Sequence, residues 1–115
     1  MVIEPTRAQQ DMCERYGTAP DAAHGDAMVG VGPMNGQPIN GLRHRPDGGT
    51  SGWFIWAGEE IDQADPSFFQ PLHLGHLGSM YPGVVPYLAL PAGWRWQLAP
   101  DHEDVWFDRG LLAPE

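Results

Sequence analysis

Two clusters of carboxylates are the residues best placed to do chemistry or to meet a partner. Glu59, Glu60, Asp62 and Asp65 form the first, and Asp101, Glu103, Asp104 and Asp108 the second. Paired carboxylates at a fixed separation serve as acid and base, and grouped oxygens hold calcium. Neither cluster has the D-x-[DN]-x-[DN]-G spacing of a calcium loop, and neither sits in a catalytic motif. The remaining readings are a solvated surface and a contact surface for a cationic partner. The partner-binding candidates are Glu59, Glu60, Asp62, Asp65, Asp101, Glu103 and Asp104.

His73, His76 and His102 are the candidate metal ligands. Two histidines three apart share one helix face, and zinc needs a third or fourth ligand. His102 and its acidic neighbours could supply it. The pattern is not H-E-x-x-H, and Gly75 and Gly78 weaken a helix there. Structural histidines are therefore expected, with no metal and no cofactor. The alternatives are a metal-binding protein or small enzyme built on these three, or an intracellular interaction module of unknown partner. Cys13 is the one cysteine, and its neighbours Met12 and Glu14 offer no base, so a packed thiol is expected rather than a nucleophile. Gly30-x-Gly32 runs into Pro33 and a turn, not into a helix, which excludes a nucleotide-binding loop. No catalytic residue emerges.

The elements that must position these residues come from a chain of 115 residues, the size of one domain. Fifteen Gly and twelve Pro place much of it in turns and exclude a helical bundle or coiled coil. Six Arg, no Lys and fifteen acids set the net charge at −9. That balance lacks the cations that nucleic acid or an anionic membrane requires. Residues 53–115 hold nine of the acids and two Arg, so the negative charge is concentrated in the second half. No apolar run approaches the roughly 20 residues of a membrane span. The start shows no signal-peptide pattern, and a lone cysteine suits a reducing compartment. A cytoplasmic location is expected.

Residues 5–16 read as a helix, with Pro5 in its first turn and Gly17 just past its end. Residues 18–27 have linker composition, so that helix is expected to be loosely tied. Short strands are expected at 28–32, 39–44, 53–57, 94–98 and 105–107. Pro71-Leu72-His73 is a further short candidate, and helices follow near 74–80 and 82–89. Trp53-Phe54-Ile55-Trp56-Ala57 is apolar at every position, as a central strand covered on both faces would be. Gly30, Gly32 and Gly41 point to a bulge or a close backbone approach. The fold expected is α+β: a mainly antiparallel sheet of about five strands, short helices on one face and an N-terminal helix. The organisation is a helix over 1–17, a linker over 18–27 and one domain over 28–115. The strands at 53–57 and 105–107 are expected to be neighbours, opening both acidic loops on one side.

The pieces GTSGW, WAGEE, PLH, LPAGW and EDVWFD occur in this order within residues 41–108. In that order they resemble the immunity protein 33 domain family, over about residues 28–112. These are small bacterial proteins of polymorphic toxin and contact-competition systems. The resemblance implies a non-catalytic protein that neutralises a cognate toxin domain by binding it. It carries over no catalytic residue. A net charge of −9 suits a basic toxin domain, because opposite fields speed encounter. If the acidic loops are not the contact, the next candidate is the segment 28–52 with Arg43, His44 and Arg45. Oligomeric state is not encoded in any visible motif.

Overall fold

The computed structural model describes residues 4–59, 61 and 64–112. Glu60 and Asp62, two of the acidic candidates, lie outside the described residues.

Helix α1 (Arg7–Arg15) begins at a reciprocal cap. Gln9 N–H donates to Thr6 Oγ1 (3.1 Å), and Thr6 N–H donates to Gln9 Oε1 (2.9 Å), which satisfies two otherwise orphaned donors. Gly17, at φ +75°, turns the chain away after Tyr16. The strands are β1 (Met28–Val31), β2 (Ile39–Arg43), β3 (Thr50–Ala57), β4 (Gln70–His73), β5 (Trp94–Ala99) and β6 (His102–Phe107). Helix α2 (Leu74–Met80) follows β4 directly, and a 3-10 segment (Pro82–Tyr87) follows α2.

The sheet has six strands in the order β4-β1-β3-β2-β5-β6. The strand beyond the five expected is β4, the short Pro71-Leu72-His73 candidate. Every pairing is antiparallel except β1 with β3. The strand β3 that was expected to adjoin β6 is instead separated from it by β2 and β5. Pairing is set by hydrophobic faces and turn lengths together, and the two-residue turn at Pro100-Asp101 commits β6 to β5 alone. The register shifts between Met28 and Gly30, which is the irregularity the glycines implied.

The pairing also fixes the faces. Val29, Trp53, Ile55 and Trp96 point to one side and are buried against Met12, Cys13, Leu74, Leu77, Val84, Tyr87, Leu88, Ala89 and Leu90. Each large side chain so buried contributes about 1.5–3 kcal/mol of transfer free energy. Trp53 Nε1 donates to Leu88 O (3.0 Å), so its polar edge is satisfied as the ring is buried. Gly41 lets β2 approach this layer: a Cβ there would run into the Trp96 indole.

Helix α1 is part of this core rather than loosely tied. Cys13 is 0 % exposed, Gln9 Nε2 donates to Val85 O (2.9 Å), and Asp21 N–H donates to Ala89 O (2.7 Å). Arg43 completes the attachment of residues 18–27. It is 1 % exposed, and donates from Nε to Ser51 O (2.8 Å) and from Nη1 to Asp21 O (2.7 Å) and Leu90 O (2.9 Å). Its guanidinium also lies 5.5 Å from the Trp53 ring centroid. Burial lowers the Arg43 pKa, and converging carbonyls take the place of water.

On the second face the chain after β3 folds back over the sheet. Phe69 packs edge-on against Phe54 (5.1 Å between centroids) and Trp56 (5.9 Å). Asn40 Nδ2 donates to Gly58 O (2.6 Å) and fastens the start of that segment. Among the described residues, no helix is long and apolar enough to cross a membrane.

Candidate functional site

The acidic candidates sort by strand register. Ala57 pairs with Ile39, Ile39 with Leu98, and Leu98 with Glu103, so these four lie in one row across the sheet. The segment after Ala57 and the β5–β6 turn therefore leave the same end of the sheet. Glu59 and Asp101 belong to that end, and both are exposed. Asp65 lies further along the same connection, where its Oδ1 accepts from Ser67 N–H (2.8 Å). Asp104 faces the second side of the sheet, opposite Gln97, and is exposed.

Glu103 points the other way, toward α1. Its Oε2 accepts from the Tyr87 hydroxyl (2.5 Å) and its Oε1 from the Tyr16 hydroxyl (2.9 Å). Arg15 Nη2 lies 3.3 Å from Oε1. The Tyr87 bond is the largest influence holding the carboxyl below its usual range; Tyr16 and Arg15 add to it, and burial opposes it. Burial, then the Glu103 hydrogen bond, pushes the Tyr87 phenol well above its usual range, and the same causes raise Tyr16. Glu103 thus clamps α1 and the 3-10 segment to β6. Its parity with Val105, and with Trp96 across the hairpin, was the available signal for that orientation.

Asp108, at the other end of β6, is also engaged. Its carboxylate accepts from Arg95 Nη1 (3.1 Å) and from Gly110 N–H (2.9 Å), which together hold its pKa down, Arg95 the more. Arg95 in turn lies over the Trp106 ring, 5.5 Å from its centroid.

The three histidines are not brought together. His73 ends β4 and His102 begins β6, the opposite edges of the sheet. Five strand spacings of about 4.8 Å put these edges roughly 24 Å apart, too far for one ion. No group of three His, Cys, Asp or Glu among the described residues has metal-binding geometry. Cys13 is buried, its Sγ 3.5 Å from Ala89 O, and burial raises its pKa, so it is held as a thiol. A cavity of about 320 Å³ on the second face is lined by Gly30, His44, Phe54, Phe69 and Pro71 among others, with no carboxylate or cysteine among the described residues. Of the alternative contact residues, Arg43 is enclosed as described above, whereas His44 and Arg45 are exposed.

A family model described as the Imm33-like domain matches residues 8–108. The chain belongs to that family. The Imm33-like match begins inside α1, ahead of the motifs at 41–108, in keeping with a helix whose Met12 and Cys13 complete the core. No curated protein and no solved structure matches this Imm33-like chain.

Proposed function

We propose that this chain is a bacterial immunity protein that neutralises a cognate toxin domain by binding it, without catalysis, in the cytoplasm. The observation that carries this reading is the Imm33-like match over residues 8–108. The shared end of the sheet supports it. Glu59 and Asp101 are exposed there, Asp104 lies one register step along, and the chain's net charge is −9. A negative field of this kind speeds the approach of a basic toxin domain, and rim charges act mainly on the association rate. Glu60, Asp62 and Asp65 belong to the same proposed surface. Glu103 borders that surface, its charge offset by Arg15 and its oxygens serving the tyrosine clamp.

The test is co-expression with basic toxin domains, beginning with any encoded beside its gene. Protection of growth and co-elution as a stable complex are expected. Charge reversal at Glu59, Asp101 and Asp104 should slow association several-fold at low salt and flatten its salt dependence. Stability should change by under about 0.5 kcal/mol per site, as at exposed positions generally. Protection without any complex would refute neutralisation by binding. Unchanged association in the triple reversal would remove the acidic end from the contact.

A further inference from the structure

The two edges of the sheet are finished differently. The β4 edge is four residues long, contains Pro71 and passes straight into α2, which leaves little to pair with. The β6 edge is six residues long. Its alternation is set by the hairpin: Asp108 N–H donates inward to Gly93 O (2.7 Å). Asp104 and Trp106 therefore also turn their peptide groups toward β5, while Glu103, Val105 and Phe107 turn theirs outward. No backbone partner meets those outward groups among the described residues. The side chains beside them are ready for a neighbour. Trp106 is 37 % exposed on the second face, and Phe107 is 47 % exposed on the helix face.

We propose that the outer edge of β6, Glu103 to Phe107, receives an extended basic segment of the partner protein as a seventh strand. This rests on the reading of the chain as a toxin-binding protein, and it names how the toxin is held. Charge selects the occupant. Asp101 and Asp104 have no cationic partner among the described residues, whereas Glu103 and Asp108 are paired with Arg15 and Arg95, so the free negative charge of this strand lies at Asp101 and Asp104. A second copy of this chain would bring the same carboxylates to the same edge, which disfavours self-pairing. A strand carrying Lys or Arg would satisfy the outward peptide groups, meet Asp101 and Asp104, and cover Trp106 and Phe107. Main-chain bonds would supply affinity, and the flanking side chains specificity.

The probe is an acetylated, amidated peptide of four Lys-Val repeats, with four Glu-Val repeats as its counterpart, titrated into ¹⁵N-labelled protein. The Lys-Val peptide should shift the amides of Glu103, Val105 and Phe107 most and slow their hydrogen exchange; the Glu-Val peptide should not. Val105→Pro removes an outward N–H and leaves the β5 ladder intact, so it should weaken binding at least tenfold. Val105→Ala, which keeps the N–H, should bind within about threefold of the parent. If Val105→Pro fails to fold, the Lys-Val peptide N-methylated at every residue must lose the shifts on unaltered protein. Shifts centred elsewhere, an equal response to Glu-Val, or undiminished binding by folded Val105→Pro would each overturn the proposal. So would a concentration-dependent dimer that Val105→Pro abolishes, because it would seat a second copy on the edge. If a toxin domain binds the parent and Val105→Pro alike, the edge assignment fails and the immunity reading stands. If the Lys-Val peptide docks on β6 but no toxin domain binds, the reverse holds.

Discussion

Removing the Tyr87 hydroxyl isolates one contact of the Glu103 clamp. Tyr87→Phe keeps the buried ring, which sits 5.3 Å from that of Trp96, and opens no cavity. It deletes one hydrogen bond to a carboxylate, a class worth about 1.5–3 kcal/mol net. The Glu103 side chain is 29 % exposed, so water replaces part of the loss, and the low end, about 1.5 kcal/mol, is expected. For 115 residues the unfolding entropy is about 0.24 kcal/mol/K, which converts that loss to a fall in Tm of about 6 °C. The pH dependence has a definite sign. The carboxyl pKa is depressed in the folded state, chiefly by Tyr87. Its contribution is therefore complete above the unfolded value of about 4.3 and is lost as pH falls through the lower folded value. Urea denaturation of parent and Tyr87→Phe at pH 7 and near pH 3 should show a gap that narrows on acidification. A gap under about 0.3 kcal/mol at pH 7, or one that widens in acid, would refute the account.

Two further outcomes follow from the core. Arg43→Met should cost about 3 kcal/mol or more in chemical denaturation, because the carbonyls of Asp21, Ser51 and Leu90 lose their shared donor; a loss below about 1 kcal/mol would show that water reaches them. Cys13 should resist iodoacetamide at pH 8 until the chain is unfolded, as mass spectrometry would show, whereas rapid labelling of folded protein would contradict its burial.

Much of this architecture is legible in residue types. The unbroken apolar run Trp53–Ala57 marks a strand covered on both sides, and it occupies the third position of six. Pro5 and Gly17 bracket α1 to within two residues. Gly41 signals a close approach, and Trp96 fills it. What escapes is whatever depends on distant segments converging. The 18–27 segment has the composition of a free linker, yet its backbone is held by Ala89 and Arg43. Arg43 has the look of a surface cation, because its three acceptors lie 8, 22 and 47 residues away. The acidic candidates are alike in sequence, and only the register divides Glu103, which clamps a helix, from Asp104, which faces solvent. Strand order escapes for the same reason: β3 and β6 are both aromatic strands, but each is paired through its own hairpin.

The sheet order also sets a timetable for the chain as it is made. The β2–β3 hairpin closes a six-residue connection, and β5–β6 closes two residues. The β2–β5 pairing that joins the halves links Leu42 to Arg95 and Ile39 to Leu98. A ribosome adding 5–20 residues per second needs roughly 2 to 8 s to travel from Ala57, where the β2–β3 hairpin is complete, to Leu98. Throughout that time the nascent β2–β3 hairpin has an unpaired flank, and Trp53 and Ile55 have no Trp96 beside them. The β2 flank, rather than the finished β6 edge, is the surface a chaperone would meet first.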